Sequence, residues 1–181
     1  MLSKKDLKRI QRELTAYDSA REEALKLSRK ATRLSDWAII QIHRLQFERA
    51  EKTLNQAYKL LIKIRDLNTG GSAGRGDEGV GEWRWHNFTA IASTAYQEYA
   101  EAKLLYSIIT QQALPPLSEV DVAPPFILLG LLDLIGELRR TTLSHLKERR
   151  IEKAEETLEV MEGLYAVSYT HLRAHETRHD L

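Results

Sequence analysis

Apolar residues recur every three or four positions through the first part of the chain: Leu7, Ile10, Leu14, Tyr17, Ala24, Ala31, Ala38, Ile42 and Leu45, with breaks at Arg21, Ser28 and Ser35. That spacing lays one stripe along an α-helix. Residues 4 to about 66 contain neither Gly nor Pro. The pattern therefore predicts one or two long amphipathic helices, broken near Phe47. Leu54, Ala57, Leu61 and Ile64 carry the stripe through residues 50–67. Six of the nine glycines fall within residues 70–81 and mark a loop. A third helix is predicted from about Trp83 to Gln112, ended by Pro115 and Pro116. Pro124 and Pro125 suit the first turn of a fourth, where a missing N–H costs nothing. This fourth helix runs to about Lys147, and a fifth spans about Arg150 to Tyr165. No strand-like alternation of useful length appears. The prediction is an all-α protein, an antiparallel helical bundle with long N-terminal helices.

A chain of 181 residues is long enough for one domain with a real core. Apolar residues make up 43% and charged residues 29%, which excludes a disordered chain. Without cysteine there are no disulfides or thiolate metal sites, in keeping with a reducing compartment. The charged first residues do not read as a secretory leader, and the longest apolar run, Phe126 to Leu132, is too short to span a bilayer. The expectation is a cytoplasmic protein with no membrane partner. A net charge of +1 makes no bulk case for nucleic acid, so any basic surface must be local.

Val167 to Thr177 reads VSYTHLRAHET, with RHDL after it. The string resembles the translation of a transposon-derived sequencing adapter. The expected division is a helical domain over 1–166 and a non-native tail over 167–181. His171, His175 and His179 fall at i, i+4 and i+8, a spacing that suits a metal site. Because they lie in this tail they are set aside.

The fourth predicted helix carries the candidate chemistry. FILLGLLDLIGEL, residues 126–138, holds two charges, Asp133 and Glu137. A helix so apolar on all sides is expected at the centre of the bundle. Asp133 and Glu137 share a face at i, i+4, where like charges repel. The third helix repeats the arrangement with Glu98 and Glu101 at i, i+3. Two acidic pairs on two helices suit a shared hard cation such as Mg²⁺ or Mn²⁺, since carboxylate oxygen is its preferred ligand. The alternative is a set of structural ion pairs, with Arg139 and Arg140 beside Glu137 and Lys103 beside Glu101.

Residues 4–33 hold ten Lys or Arg against five Asp or Glu. Lys26, Arg29 or Lys30, and Arg33 lie a turn apart and form a basic stripe. Arg21 interrupts the apolar stripe, with Ser28 and Ser35 on the same seam. Such a surface suits a phosphate backbone; it also suits a plain solvated helix face. Trp83-Arg84-Trp85-His86 interleaves rings and cations, a pattern for stacking on unpaired bases or for anchoring a helix start in the core. His43, between Ile42 and Leu45, reads as a packing histidine rather than a catalytic base.

Gln-Glu-Tyr-Ala-Glu-Ala at 97–102 and Leu-Leu-Gly-Leu-Leu-Asp-Leu-Ile-Gly-Glu-Leu-Arg-Arg at 128–140 together resemble the translin family. They are closer to its catalytic branch, translin-associated factor X, than to translin. Leu-Lys-Leu-Ser-Arg at 25–29 and Ile-His-Arg at 42–44 fit the same pattern. The resemblance runs from about residue 18 to 165; the family's final helix has no counterpart, and 87–95 is a loose match. It implies a translin-type helical fold that assembles into a hollow shell, as a homo-oligomer, an octamer, or a hetero-oligomer with a translin-like subunit. It further implies an Mg²⁺-dependent endoribonuclease acting on single-stranded RNA, or on single-stranded DNA. Carried over, the catalytic set is Glu98, Glu101, Asp133 and Glu137, with Glu98, Glu101 and Asp133 holding metal. The nucleic-acid contacts expected are Arg21, Lys26, Arg29, Arg33, Arg84 and His86, of which Arg21 and Lys26 match family positions. The competing expectation is a non-catalytic single-stranded RNA- or DNA-binding oligomer like translin itself.

Overall fold

A computed structural model describes residues 3–69, 88–111 and 113–176, with residues 69 and 167–176 described by their backbone alone. Six helices account for nearly all of it: α1 (Lys4–His43), α2 (Phe47–Thr69), α3 (Phe88–Ile91), α4 (Ser93–Gln111), α5 (Pro124–Lys147) and α6 (Ile151–Glu176). No strand occurs among the described residues. The expected all-α bundle is what the chain forms.

α1 is the longest element at 40 residues, about 60 Å at the usual helical rise. Its start is capped reciprocally by Ser3 and Asp6, each side chain accepting from the other's backbone N–H. A three-residue turn, Arg44 to Gln46, folds α2 back on α1. There Gln46 N–H donates to Gln41 C=O (2.9 Å) and Leu45 N–H donates to Ile42 C=O (2.8 Å), with Leu45 at φ 58°. This is a Schellman ending, and it needs a left-handed residue that is usually Gly. The same bonds recur between α5 and α6, with Arg149 at φ 58°. The predicted break near Phe47 therefore lies at 44–46.

The third predicted helix is interrupted at Ala92, so α3 is a single turn ahead of α4; residues 83–87 lie outside the described residues, as does the glycine-rich stretch. Pro124 and Pro125 occupy the first turn of α5 as predicted. α6 continues to Glu176.

The core gathers Ile42 from α1, Ile64 from α2, Phe88 from α3, Leu104 and Leu105 from α4, and Leu134 and Leu138 from α5, all essentially inaccessible. α5 is not central as expected. It packs between α4 and α6 and buries one stripe, Ile127, Gly130, Leu134, Leu138 and Thr141, while Leu128, Leu129, Leu143 and Leu146 stay exposed. Its hydrophobicity is unevenly satisfied because only two helices flank it. The start of α1 likewise leaves Leu7, Ile10 and Leu14 exposed.

Candidate functional site

The site forms where α1 and α5 each pack on α4. α5 approaches α4 closely because residue 130 is Gly: a Cβ there would stand 2.8 Å from the Glu101 backbone nitrogen and 3.0 Å from the Gln97 carbonyl oxygen. One turn later along α5, Asp133 accepts a hydrogen bond from the Gln97 side-chain amide. The two acidic helices are thus held together by a backbone contact and a side-chain bond.

Glu98, Glu101, Asp133 and Glu137 do come together, and α1 adds a fifth carboxylate, Asp36. Glu98 is hydrogen-bonded to Asp36 on one side and to Glu101 on the other. Two carboxylates bond to each other only when one keeps a proton. Accordingly burial, then the charges of Asp36 and Asp133, raise the Glu98 carboxyl above its ordinary range. Burial likewise raises Asp36. Glu101 lies deepest, at 6% exposure. Desolvation, followed by Glu98, Asp133, Glu137 and Asp36, pushes it up to about 8. The Lys103 pairing considered for Glu101 is not made; no ion pair to Glu101 occurs among the described residues.

Glu137 differs. It is hydrogen-bonded to His43, and Arg140 stands 3.7 Å away. These partners, His43 first, hold its carboxyl below the ordinary range. His43 is therefore no mere packing residue: it reaches from the last turn of α1 to α5. Of the structural pairing expected for Glu137, the Arg140 half is present.

The donor set suits a hard divalent cation. Among the described residues Asp36, Glu98, Glu101 and Asp133 carry no cationic partner, and at Glu98 and Glu101 the raised carboxyls favour a proton where a cation could stand. Among the described residues no three acidic or histidine side chains close into a ready ligand set, so an ion would have to draw them inward.

The cations expected to meet nucleic acid divide. Lys26, Arg29 and Arg33 are exposed along α1; Lys26 stands 4.0 Å from Glu23, and Arg29 and Arg33 make no ion pair among the described residues. Arg21 shares the helix face of Ser28 and Ser35 but is exposed there and paired with Glu22 at 3.7 Å. Ser28 and Ser35 are buried, Ser35 donating to the Ala31 carbonyl, so the polar seam is core-facing and satisfied locally. Arg84 and His86, with Trp83 and Trp85, lie outside the described residues, as do the side chains of His171, His175 and His179. A second basic surface escaped notice in the sequence. It is a groove of about 390 Å³ beside Glu137 on α5, lined by Gly136, Arg139, Arg140, Leu143, Ser144 and Lys147. Its signal was legible: these positions recur at helical spacing on one face of α5.

No protein-family model matches the chain. A curated relative, the uncharacterized protein MJ0175 of Methanocaldococcus jannaschii, is 34% identical over 154 residues, covering 84% of this chain and 63% of that protein. The chain thus spans less than two thirds of the relative it matches. Among solved structures, the crystal structure of AfC3PO superposes with a TM-score of 0.75 at 28% identity, over 93% of this chain and 80% of that one. AfC3PO in complex with duplex RNA gives 0.75 and 28%, over 91% and 78%. Apo-NeC3PO gives 0.75 at 24% identity, over 92% and 81%, a likeness of fold alone. The chain has the translin-type helical fold of the C3PO structures, and these neighbours support the family resemblance read from its sequence. Among the described residues no helix is long and apolar enough to cross a membrane.

Proposed function

We propose that this protein is an RNA-binding subunit of a translin-type oligomer, of the branch related to translin-associated factor X, and that it cleaves single-stranded RNA in an Mg²⁺-dependent reaction. The observation that carries this reading is the convergence of four carboxylates from three helices on a fifth, Glu101. A protein that only bound RNA would gain nothing from an uncompensated acidic cluster beside a polyanion. AfC3PO, the neighbour with the same fold, has a structure with duplex RNA.

In this reading Glu98, Glu101 and Asp133 hold the ion, with Asp36 completing the set. Bound there, Mg²⁺ or Mn²⁺ would neutralise charge at the phosphodiester and make a water more acidic. The chain's own residues do the rest. Asp133 is exposed and stands at the mouth, while Glu101 closes the floor. Glu137, ionised and fixed by His43 and Arg140, orients a water or accepts its proton. Arg139, Arg140 and Lys147 on α5 and Arg29 and Arg33 on α1 flank the cluster and take the backbone phosphates. Assembly into a shell, as a homo-octamer or with a translin-like partner, would enclose the substrate.

The test is cleavage of a labelled single-stranded RNA with Mg²⁺ or with chelator, alongside Asp133→Ala. Cleavage that requires Mg²⁺ and disappears in the variant supports the nuclease. A folded oligomer that binds the RNA and leaves it intact in Mg²⁺ would leave a binding protein instead.

A further inference from the structure

Trp37 follows Asp36 directly on α1, and it is 46% exposed. A tryptophan so open to water is unusual, because its ring is the largest apolar surface a side chain offers. The guanidinium of Arg44 lies over the ring at 5.9 Å from its centroid. Side chains turn by about 100° per residue along a helix, which brings Arg33 and Trp37 of α1 and Arg44 of its C-cap onto one stripe. Arg33 is one turn before the ring and Arg44 two turns after it. Arg33 and Arg44 are exposed, and neither makes an ion pair among the described residues. Arg33 also lies angularly between Trp37 and Asp36, and Asp36 is bonded into the carboxylate cluster through Glu98.

We propose that Trp37 is a stacking platform for one unpaired base of a single-stranded RNA, with Arg33 and Arg44 taking the phosphates on either side. A ring flanked by guanidinium groups that make no ion pair among the described residues is an arrangement that binds single strands, because every base offers a π-face and every linkage a charge. The position fits as well, since a strand seated on this stripe passes the acidic cluster one residue around the helix. The occupant is a base rather than an apolar partner because the ring is bordered by arginines on both sides along α1. The inference rests on the RNA-binding reading above and assigns it a contact that the nucleic-acid motif at 83–86 does not include.

The experiment uses the full chain in chelator, so that binding is read without cleavage. Two labelled ligands are compared: a short oligouridylate, and a ribose-phosphate oligomer of the same length lacking bases. Wild type, Trp37→Ala and Trp37→Phe are titrated, with molecular mass followed by light scattering. Trp37→Ala should weaken oligouridylate binding about tenfold, with Trp37→Phe in between. All three proteins should bind the abasic oligomer equally. Unchanged oligouridylate binding by Trp37→Ala overturns the inference. So does an equal loss on both ligands with a fall in molecular mass, which would place the ring in a contact between copies. Wild type that binds neither ligand removes the RNA reading itself and this contact with it.

Discussion

The backbone nitrogen of Glu101 lies 2.8 Å from the point where a Cβ on Gly130 would stand. α4 and α5 therefore meet at main-chain distance one turn before Asp133, and the depth of the acidic cluster follows from that contact. Gly130→Ala forces the helices apart against backbone, not against a flexible side chain. It should destabilise the protein by about 1–3 kcal/mol in denaturant titration. Gly136 on the same helix has nothing within 4 Å of its position. Gly136→Ala should instead stabilise by up to about 1 kcal/mol through helix propensity. Equal effects from the two substitutions would refute the close-contact role.

The raised carboxyl of Glu101 makes stability depend on pH in a defined direction. Its folded value, about 8, lies above its ordinary 4.5. Between those values the folded protein holds a proton that the unfolded chain has released, so stability falls as pH rises through this window and levels off above it. The slope approaches ~1.4 kcal/mol per pH unit for one such group. Glu98 and Asp36, also raised, act in the same sense. Glu137, lowered by His43 and Arg140, acts oppositely, and its stabilisation is lost only as pH falls below the ordinary carboxylate range. Denaturant midpoints measured in chelator should drop from pH 5 to pH 8. A flat or rising profile would contradict the clustering.

Glu101→Gln removes the charge while keeping the shape. In chelator at pH 9 the variant should be more stable than wild type by at least about 1 kcal/mol, while losing any metal-dependent cleavage. Stability gained at the expense of activity is the signature of a site held strained for function. A variant less stable than wild type at pH 9 would mean that Glu101 has a cationic partner in solution.

His43→Ala leaves the Glu137 carboxylate half-buried with Arg140 alone. A loss of about 1–3 kcal/mol is expected, with the Glu137 carboxyl moving up toward its ordinary range by carbon-detected NMR titration. An unmoved titration would show that the α1–α5 link is not maintained in solution.

Much of this was readable from residues alone. Apolar spacing and the absence of Gly and Pro located α1 and α2, and Pro124 and Pro125 marked the start of α5, because helical period and helix breakers are local properties. Glu98, Glu101, Asp133 and Glu137 were paired within their own helices by i, i+3 and i, i+4 spacing, which sequence also reveals. Asp36 was not found and His43 was read as a packing residue, since their partners, Glu98 and Glu137, lie far along the chain and only the packing of α1 and α5 on α4 brings them together. The exposure of Arg21 was not readable, because spacing fixes the face of the helix and not how far its neighbours cover that face. Trp37 was passed over because it falls outside the apolar stripe of α1, and its exposure marks it.

The most direct measurement of the central claim is a calorimetric Mg²⁺ titration at pH 7 in two buffers of different ionisation enthalpy. If the carboxylates form a cation site, binding is saturable and expels protons, because Glu101 is protonated at that pH until an ion displaces its proton. The buffer dependence of the heat counts those protons, and both binding and release should vanish in Glu101→Gln. Saturable binding absent from the folded wild-type protein, or undiminished in Glu101→Gln, would contradict the account.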